Sequence, residues 1–247
     1  MDRMIFLAMS AAKQMMSGQA AAAHNLANAN THGFKADYAA YRAIPVFGDG
    51  FPSRVYALAE RPGIDFAPGA LESTGNELDV AVTSDGMLAV LAPDGSEAYT
   101  RAGDFKLDNF GQLSTASGAP VLGNSGPIAL PPSEKIAIGA DGTISVRPVG
   151  QEANTLAQVD RLRLVKPDLA NLIKGTDGLF RTRDGIPAPL DATVTVTQGA
   201  LEQSNVNPVG QMIQMIETAR RYELAIKSMD TAEQMDADGA RLLRMVS

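Results

Sequence analysis

The chain contains no cysteine, which excludes a disulfide framework, a thiol nucleophile and a cysteine-built zinc site. That absence suits a reducing and an oxidising compartment equally. Runs of lysine and arginine are also missing: 21 basic residues face 28 acidic ones, for a net charge of −7. Nucleic acid and anionic membrane surfaces are therefore poor partners. No stretch approaches the ~20 apolar residues of a membrane span. The opening apolar run, Met4 to Met9, falls short of the roughly 7–15 residues of a secretory signal, and Lys13 interrupts the next apolar stretch. Asp2 beside Arg3 cancels the usual positive flank. The expectation is a chain that is neither cleaved nor inserted in a membrane.

Signals for chemistry are equally sparse. Glycine motifs that cradle phosphate are absent. The two histidines, His24 and His32, lack carboxylates spaced to converge on a metal with them. Asp236-Ala237-Asp238-Gly239 begins like a calcium loop, but the place of its bidentate glutamate falls on Ser247. No catalytic residue, cofactor site or metal site is nominated.

The positive signals lie first at the two ends. Alternating steps of four and three from Ile5 reach Met9, Ala12, Met16, Gln19, Ala23 and Leu26, the seam of a helix that packs on another helix. Asp2 is placed to cap it, and the turn-forming residues from Asn28 to Gly33 end it. Near the C-terminus the same rule gives Met212, Met215, Ala219, Tyr222, Ile226 and Met229, with Ile216 also on an apolar face. That seam lapses at Glu233 and Asp236 and resumes at Ala240 and Leu243. Asn207 and Pro208 supply an N-cap and a first helical residue. Of the 11 methionines, all but Met87 lie in these end segments, where a flexible thioether fits varied neighbours.

Between the ends, residues 34–77 are predicted to be extended, because Pro45, Pro52, Pro62 and Pro68 forbid long helices. From Leu78 to Thr197 the pattern is all-β. Strands are predicted at Leu78–Val82, Met87–Leu91, Ile136–Ile138, Ile144–Val146, Leu162–Val165 and Val194–Val196. Asp-Gly turns begin at Asp85, Asp94, Asp141, Asp177 and Asp184. A short echo, Gly69-Ala70-Leu71-Glu72 and Gly199-Ala200-Leu201-Glu202, predicts two segments side by side where the chain enters and leaves this region. The fold class is α+β: a coiled-coil-like pair of terminal helices flanks an all-β domain, a small barrel or sandwich, through an extended β connector. With 247 residues, 45% of them hydrophobic, core size is no obstacle.

Two resemblances rest on particular residues. Ala21-Ala22-Ala23-His24-Asn25 and Gly123-Asn124-Ser125-Gly126-Pro127 resemble the surroundings of the histidine and serine of trypsin-like proteases. His24 falls inside a predicted helix, however, and Ser125 lacks the second following glycine, so the reading is rejected. The second resemblance spans the chain. Asn25-Leu26-Ala27-Asn28-Ala29-Asn30-Thr31-His32-Gly33-Phe34-Lys35 is similar to the N-terminal signature of bacterial flagellar rod and hook proteins, with His24 where an asparagine is usual. It continues through Leu78-Asp79-Val80-Ala81-Val82, Tyr99-Thr100-Arg101-Ala102-Gly103-Asp104-Phe105, Ser204-Asn205-Val206-Asn207 and Ala219-Arg220-Arg221-Tyr222-Glu223, in the family's order.

The opening residues and the modest length are most similar to the proximal-rod members, with distal-rod and hook subunits as alternatives. The resemblance implies a structural subunit without enzymatic activity, located in the periplasm-spanning rod of the flagellar basal body. It implies export without signal cleavage through the flagellar type III apparatus, and partners that are copies of itself and other proximal and distal rod subunits. It divides the chain into a terminal helical assembly domain (1–33 and 205–247), an extended connector (34–77 and 198–204) and an all-β outer domain (78–197). The helix-seam residues become subunit-interface residues, joined by Asn25 and Asn28 of the signature. An adaptor whose end helices pair only with each other, and an enzyme on the β domain, are the competing classes. Ser125 sits in a turn composition, so Ser125→Ala is expected to leave swimming in soft agar unchanged. Loss of motility at normal protein level and normal rod assembly would restore the enzyme reading.

Overall fold

The computed structural model describes residues 4–38, 41–45, 55–59, 63–148, 150 and 156–246. Asp2, Pro52, Pro62 and the side chain of Leu243 lie outside the described residues. An N-terminal helix, α1 (Met4–Ala27), and a C-terminal helix, α2 (Pro208–Val246), flank a β-rich centre. The chain divides into two compact units, one holding residues 1–29, 36–65 and 206–247, the other residues 30–35 and 66–205.

In the first unit α1 lies against α2 and against strands Val55–Ala59 and Asp37–Tyr38. Val55–Ala59 pairs antiparallel with Tyr41–Pro45, and Asp37–Tyr38 with Gly63–Ile64. Asn207 starts α2 as its composition requires: its side-chain oxygen accepts a bond from the Gly210 N–H at 3.1 Å. Inward-facing positions of α2 run Gln211, Met215, Thr218, Tyr222, Ala225, Met229 and Ala232, an unbroken four-three alternation. On α1 the matching line is Ala8, Ala11, Met15, Gly18, Ala22 and Asn25.

These lines differ from the seams expected from the largest apolar residues. On α1 this line runs one residue earlier, although the nominated Ala12 is buried too. On α2 it shares Met215, Tyr222 and Met229 with the expected seam and adds Gln211, Thr218 and Ala225; the nominated Ala219 is half-buried beside Thr218, while Met212 and Ile226 are exposed. Small and large residues share these lines: Ala8, Ala11, Gly18 and Ala22 stand with Met15, Met215, Tyr222 and Met229. Thr218 is tolerated there because its hydroxyl donates to the Gln214 carbonyl at 2.7 Å. Beyond Met229 the inward line continues to Ala232 and bypasses Glu233, where the expected seam lapsed.

The second unit gathers several antiparallel sheets about one apolar core that includes Val80, Leu88, Phe105, Leu113, Ile144 and Leu162. Its largest sheet has the order Leu164–Val165, Met87–Leu91, Glu97–Thr100, Phe180–Thr182, Leu172–Lys174. A second joins Ser133–Ile138, Thr143–Pro148 and Ala157–Arg161. The Asp-Gly pairs at Asp94, Asp141 and Asp177 turn hairpins. Each aspartate accepts the N–H two residues on, from Ser96, Thr143 and Leu179. The sequence echo is a strand pair: Leu71–Ser73 runs antiparallel to Ala200–Glu202, with Leu201 opposite Glu72.

Gly103→Ala should report on how tightly this unit is closed. A Cβ at Gly103 would sit 1.7 Å from the Val80 carbonyl oxygen, a backbone atom at the start of a buried strand. The substitution is expected to cost on the order of 1–3 kcal/mol, read as a lower urea midpoint at constant m-value.

Candidate assembly interface

Helix α2 exposes a second apolar line opposite its packed side. Val209, Met212, Ile213 and Ile216 recur at helical spacing with 65, 51, 55 and 55% of their surface open. On α1, Phe6, Met9 and Met16 are 58, 54 and 60% open. Exposed apolar side chains grouped on one helix face make these lines the candidate contact surfaces. Of the other nominated interface residues, Ala12 and Asn25 are buried, and Ala23 and Ile226 are exposed. Ile5, Leu26, Asn28, Met215, Ala219, Tyr222 and Met229 are half-buried.

The signature residues at the end of α1 hold backbone. The Asn25 side chain donates to the Asp37 carbonyl at 2.9 Å and accepts the Asp37 N–H at 2.8 Å, so one amide pairs with a strand as a peptide would. Asn28 donates to the His24 carbonyl at 2.9 Å, and His24 Nδ1 lies 2.7 Å from the Asp37 carboxylate. His24 is therefore a structural partner of Asp37 in the helical unit, whereas Ser125 belongs to the other unit.

The next signature residues, Gly33-Phe34-Lys35, are docked within the β unit. Gly33 adopts φ +67°, and a Cβ there would lie 2.3 Å from the backbone of Arg101 and Ala102, so no other residue fits. Phe34 is buried under Lys174, whose ammonium stands 3.7 Å from its ring centroid. Lys35, 1% exposed, reaches Glu202 Oε1 at 2.6 Å and the Ala67 carbonyl at 2.8 Å. Arg101 binds the other oxygen of Glu202 at 2.8 Å and donates to the carbonyls of Gly86 and Ser84. The Gly69 N–H completes the Glu202 carboxylate at 2.9 Å. Burial alone would raise the Glu202 pKa. Hydrogen bonds from Lys35 and Gly69, with the charges of Arg101 and Lys35, overcome that and hold the carboxyl below its usual range.

No expectation from sequence placed these three charges together. A signal was available, since each is a lone charge inside a motif that stands out for another reason: Gly33-Phe34-Lys35, Thr100-Arg101-Ala102 and Leu201-Glu202.

A cleft of about 400 Å³ on the β unit is lined by Leu91, Pro93, Pro120 and Leu179, with Asp177 as its ionisable wall. That carboxylate is paired with Arg181 at 2.7 Å. Among the described residues no group of histidine and carboxylate side chains is placed to hold a metal, and no helix is long and apolar enough to cross a membrane.

The features that dominate are thus two helices with unspent apolar faces and a β unit locked by a buried ion cluster. Three stretches match known families. Residues 6–35 match the flagella basal body rod proteins, residues 81–146 the D1 domain of flagellar hook protein FlgE/F/G, and residues 197–242 the C-terminal region of flagellar basal body rod FlgEFG proteins. The chain belongs to the flagellar basal-body rod protein family and is a structural rod subunit of the FlgF-like kind. It is 46% identical to the flagellar basal-body rod protein FlgF of Escherichia coli over 99% of its own length and all of that protein's. FlgF of Salmonella typhimurium is 43% identical over the same shares. The rod protein FlgG of Buchnera aphidicola is 32% identical over 86% of this chain and 88% of that protein.

The ion cluster makes a pH-dependent prediction. Because the folded Glu202 pKa is depressed, its contribution is complete above the unfolded value of about 4.3 and is lost as pH falls through the folded value. Glu202→Gln removes the charge that Lys35 and Arg101 share. It is expected to destabilise the β unit by about 3–5 kcal/mol at neutral pH and to flatten the acid limb of the stability curve. Urea titrations between pH 3 and 7 check both effects.

Proposed function

We propose that this chain polymerises, with copies of itself and with other proximal and distal rod subunits, into the tubular drive shaft that carries motor torque across the periplasm. The observation that carries the reading is the pair of exposed apolar lines on α1 and α2. Each stays available to neighbours with the two helices already in contact. The nominated positions Met9, Met16, Met212, Ile216 and Ile226 contribute to those contacts, while Met215, Tyr222 and Met229 serve the helix pair within the chain. In the assembled tube this pair behaves as a coiled-coil-like seam, and the sheets of the β unit wrap their common core as a small barrel.

The role is mechanical and non-enzymatic, and the subunit travels uncleaved through the flagellar type III export apparatus. The 46 and 43% identity to FlgF of Escherichia coli and Salmonella typhimurium, over 99% of the chain, against 32% to FlgG of Buchnera aphidicola over 86%, supports the proximal-rod assignment over a distal-rod one. A self-contained adaptor is disfavoured by the same exposed faces, which it would leave without use.

Ile216→Asp and Met9→Asp test the reading. Both side chains are more than half open in the single chain, so the β unit should keep its near-ultraviolet dichroism and its protease-resistant fragment. A charge carried into an apolar inter-subunit contact costs about 3–5 kcal/mol, so incorporation into basal bodies and motility should be lost. Normal motility with either variant would overturn the assignment of these faces.

A further inference from the structure

We propose that Met9, Met16 and Met212 are oxidation-sensitive positions that a peroxide can modify before assembly, and whose modification bars the subunit from the rod. The proposal rests on the assembly reading above and adds a chemical gate to it. Its first support is exposure. These three side chains are 54, 60 and 51% open and stand on the apolar lines of α1 and α2, whereas Met87, within the β unit, is 2% open. Its second is composition. With no cysteine in the chain, thioethers are the only sulfur that a mild two-electron oxidant meets.

In the reaction the thioether sulfur attacks one oxygen of hydrogen peroxide. The O–O bond breaks as the S–O bond forms, sulfur gives up two electrons, and the departing hydroxide leaves as water after protonation. An apolar thioether becomes a strongly polar sulfoxide. Within an inter-subunit apolar contact that group must be desolvated without a partner, which disfavours incorporation roughly tenfold or more. Once incorporated, the same sulfurs are covered and protected.

Met235 supplies an internal control. It is 66% open yet flanked by Glu233, Gln234, Asp236 and Asp238, away from the apolar lines. Its oxidation should be as fast and without consequence.

The experiment uses cells that lack their own copy and express the full chain while the other rod subunits are withheld. The chain is pulsed with dilute hydrogen peroxide, the peroxide is removed, and assembly is then started by restoring those subunits. Sulfoxide is then mapped by peptide mass spectrometry in isolated basal bodies and in the soluble fraction. Sulfoxide at Met9, Met16 and Met212 should be about tenfold scarcer in incorporated chains, sulfoxide at Met235 equal in both pools, and Met87 unmodified in both. Met212→Gln, a polar side chain of similar length, should reduce incorporation without peroxide, while Met235→Gln should not. Equal sulfoxide at all four exposed positions in both pools, or normal incorporation of Met212→Gln, would overturn the gate. Absence of the untreated chain from basal bodies would instead overturn the rod assignment.

Discussion

The β unit depends on one carboxylate held between two cations. Glu202 accepts from Lys35, Arg101 and the Gly69 backbone in a site that admits almost no water. Any member left alone there would carry a desolvation cost larger than most single contacts supply. The three residues come from the end of the N-terminal signature, a strand-to-strand loop and the returning strand Ala200–Glu202. Their union fixes how the chain enters and leaves the unit. Gly33 and Gly103 are required beside it because backbone passes where a side chain would otherwise stand.

In the helical unit the inward positions mix small residues, Ala11, Gly18 and Ala22 on α1 with Ala225 and Ala232 on α2, and the larger Met15, Met215, Tyr222 and Met229. Phe6, Met9, Met16, Met212 and Ile216 are left facing out. Open apolar faces of this kind gain from neighbours that cover them.

Much of this was legible in the sequence, because the signals are local. Asn207-Pro208 marks the start of α2, Asp-Gly pairs mark hairpins, and the strand expected at Met87–Leu91 has those bounds. The Gly-Ala-Leu-Glu echo indicated a strand pairing that the structure contains. Local signals fail where contacts are distant. Which face of α1 meets α2 is set by the partner helix and strands it packs on, and periodicity of apolar residues alone leaves neighbouring lines on one helix hard to separate. Residues 41–45 and 55–59 read only as extended, since pairing between them joins segments separated by prolines and glycines. The Glu202 site needed residues from three distant motifs and had no periodicity to announce it.

Separation along the chain has a consequence in time. Lys35 and Glu202 are 167 residues apart, and a ribosome adding about 5–20 residues per second needs roughly ten to thirty seconds to place both outside its tunnel. Until then Lys35 and Arg101 have no carboxylate from Glu202, and water is a better neighbour for them than an apolar core. The buried ion cluster therefore cannot form until the last strand of the unit has been made. That strand acts as a completion signal for the cluster.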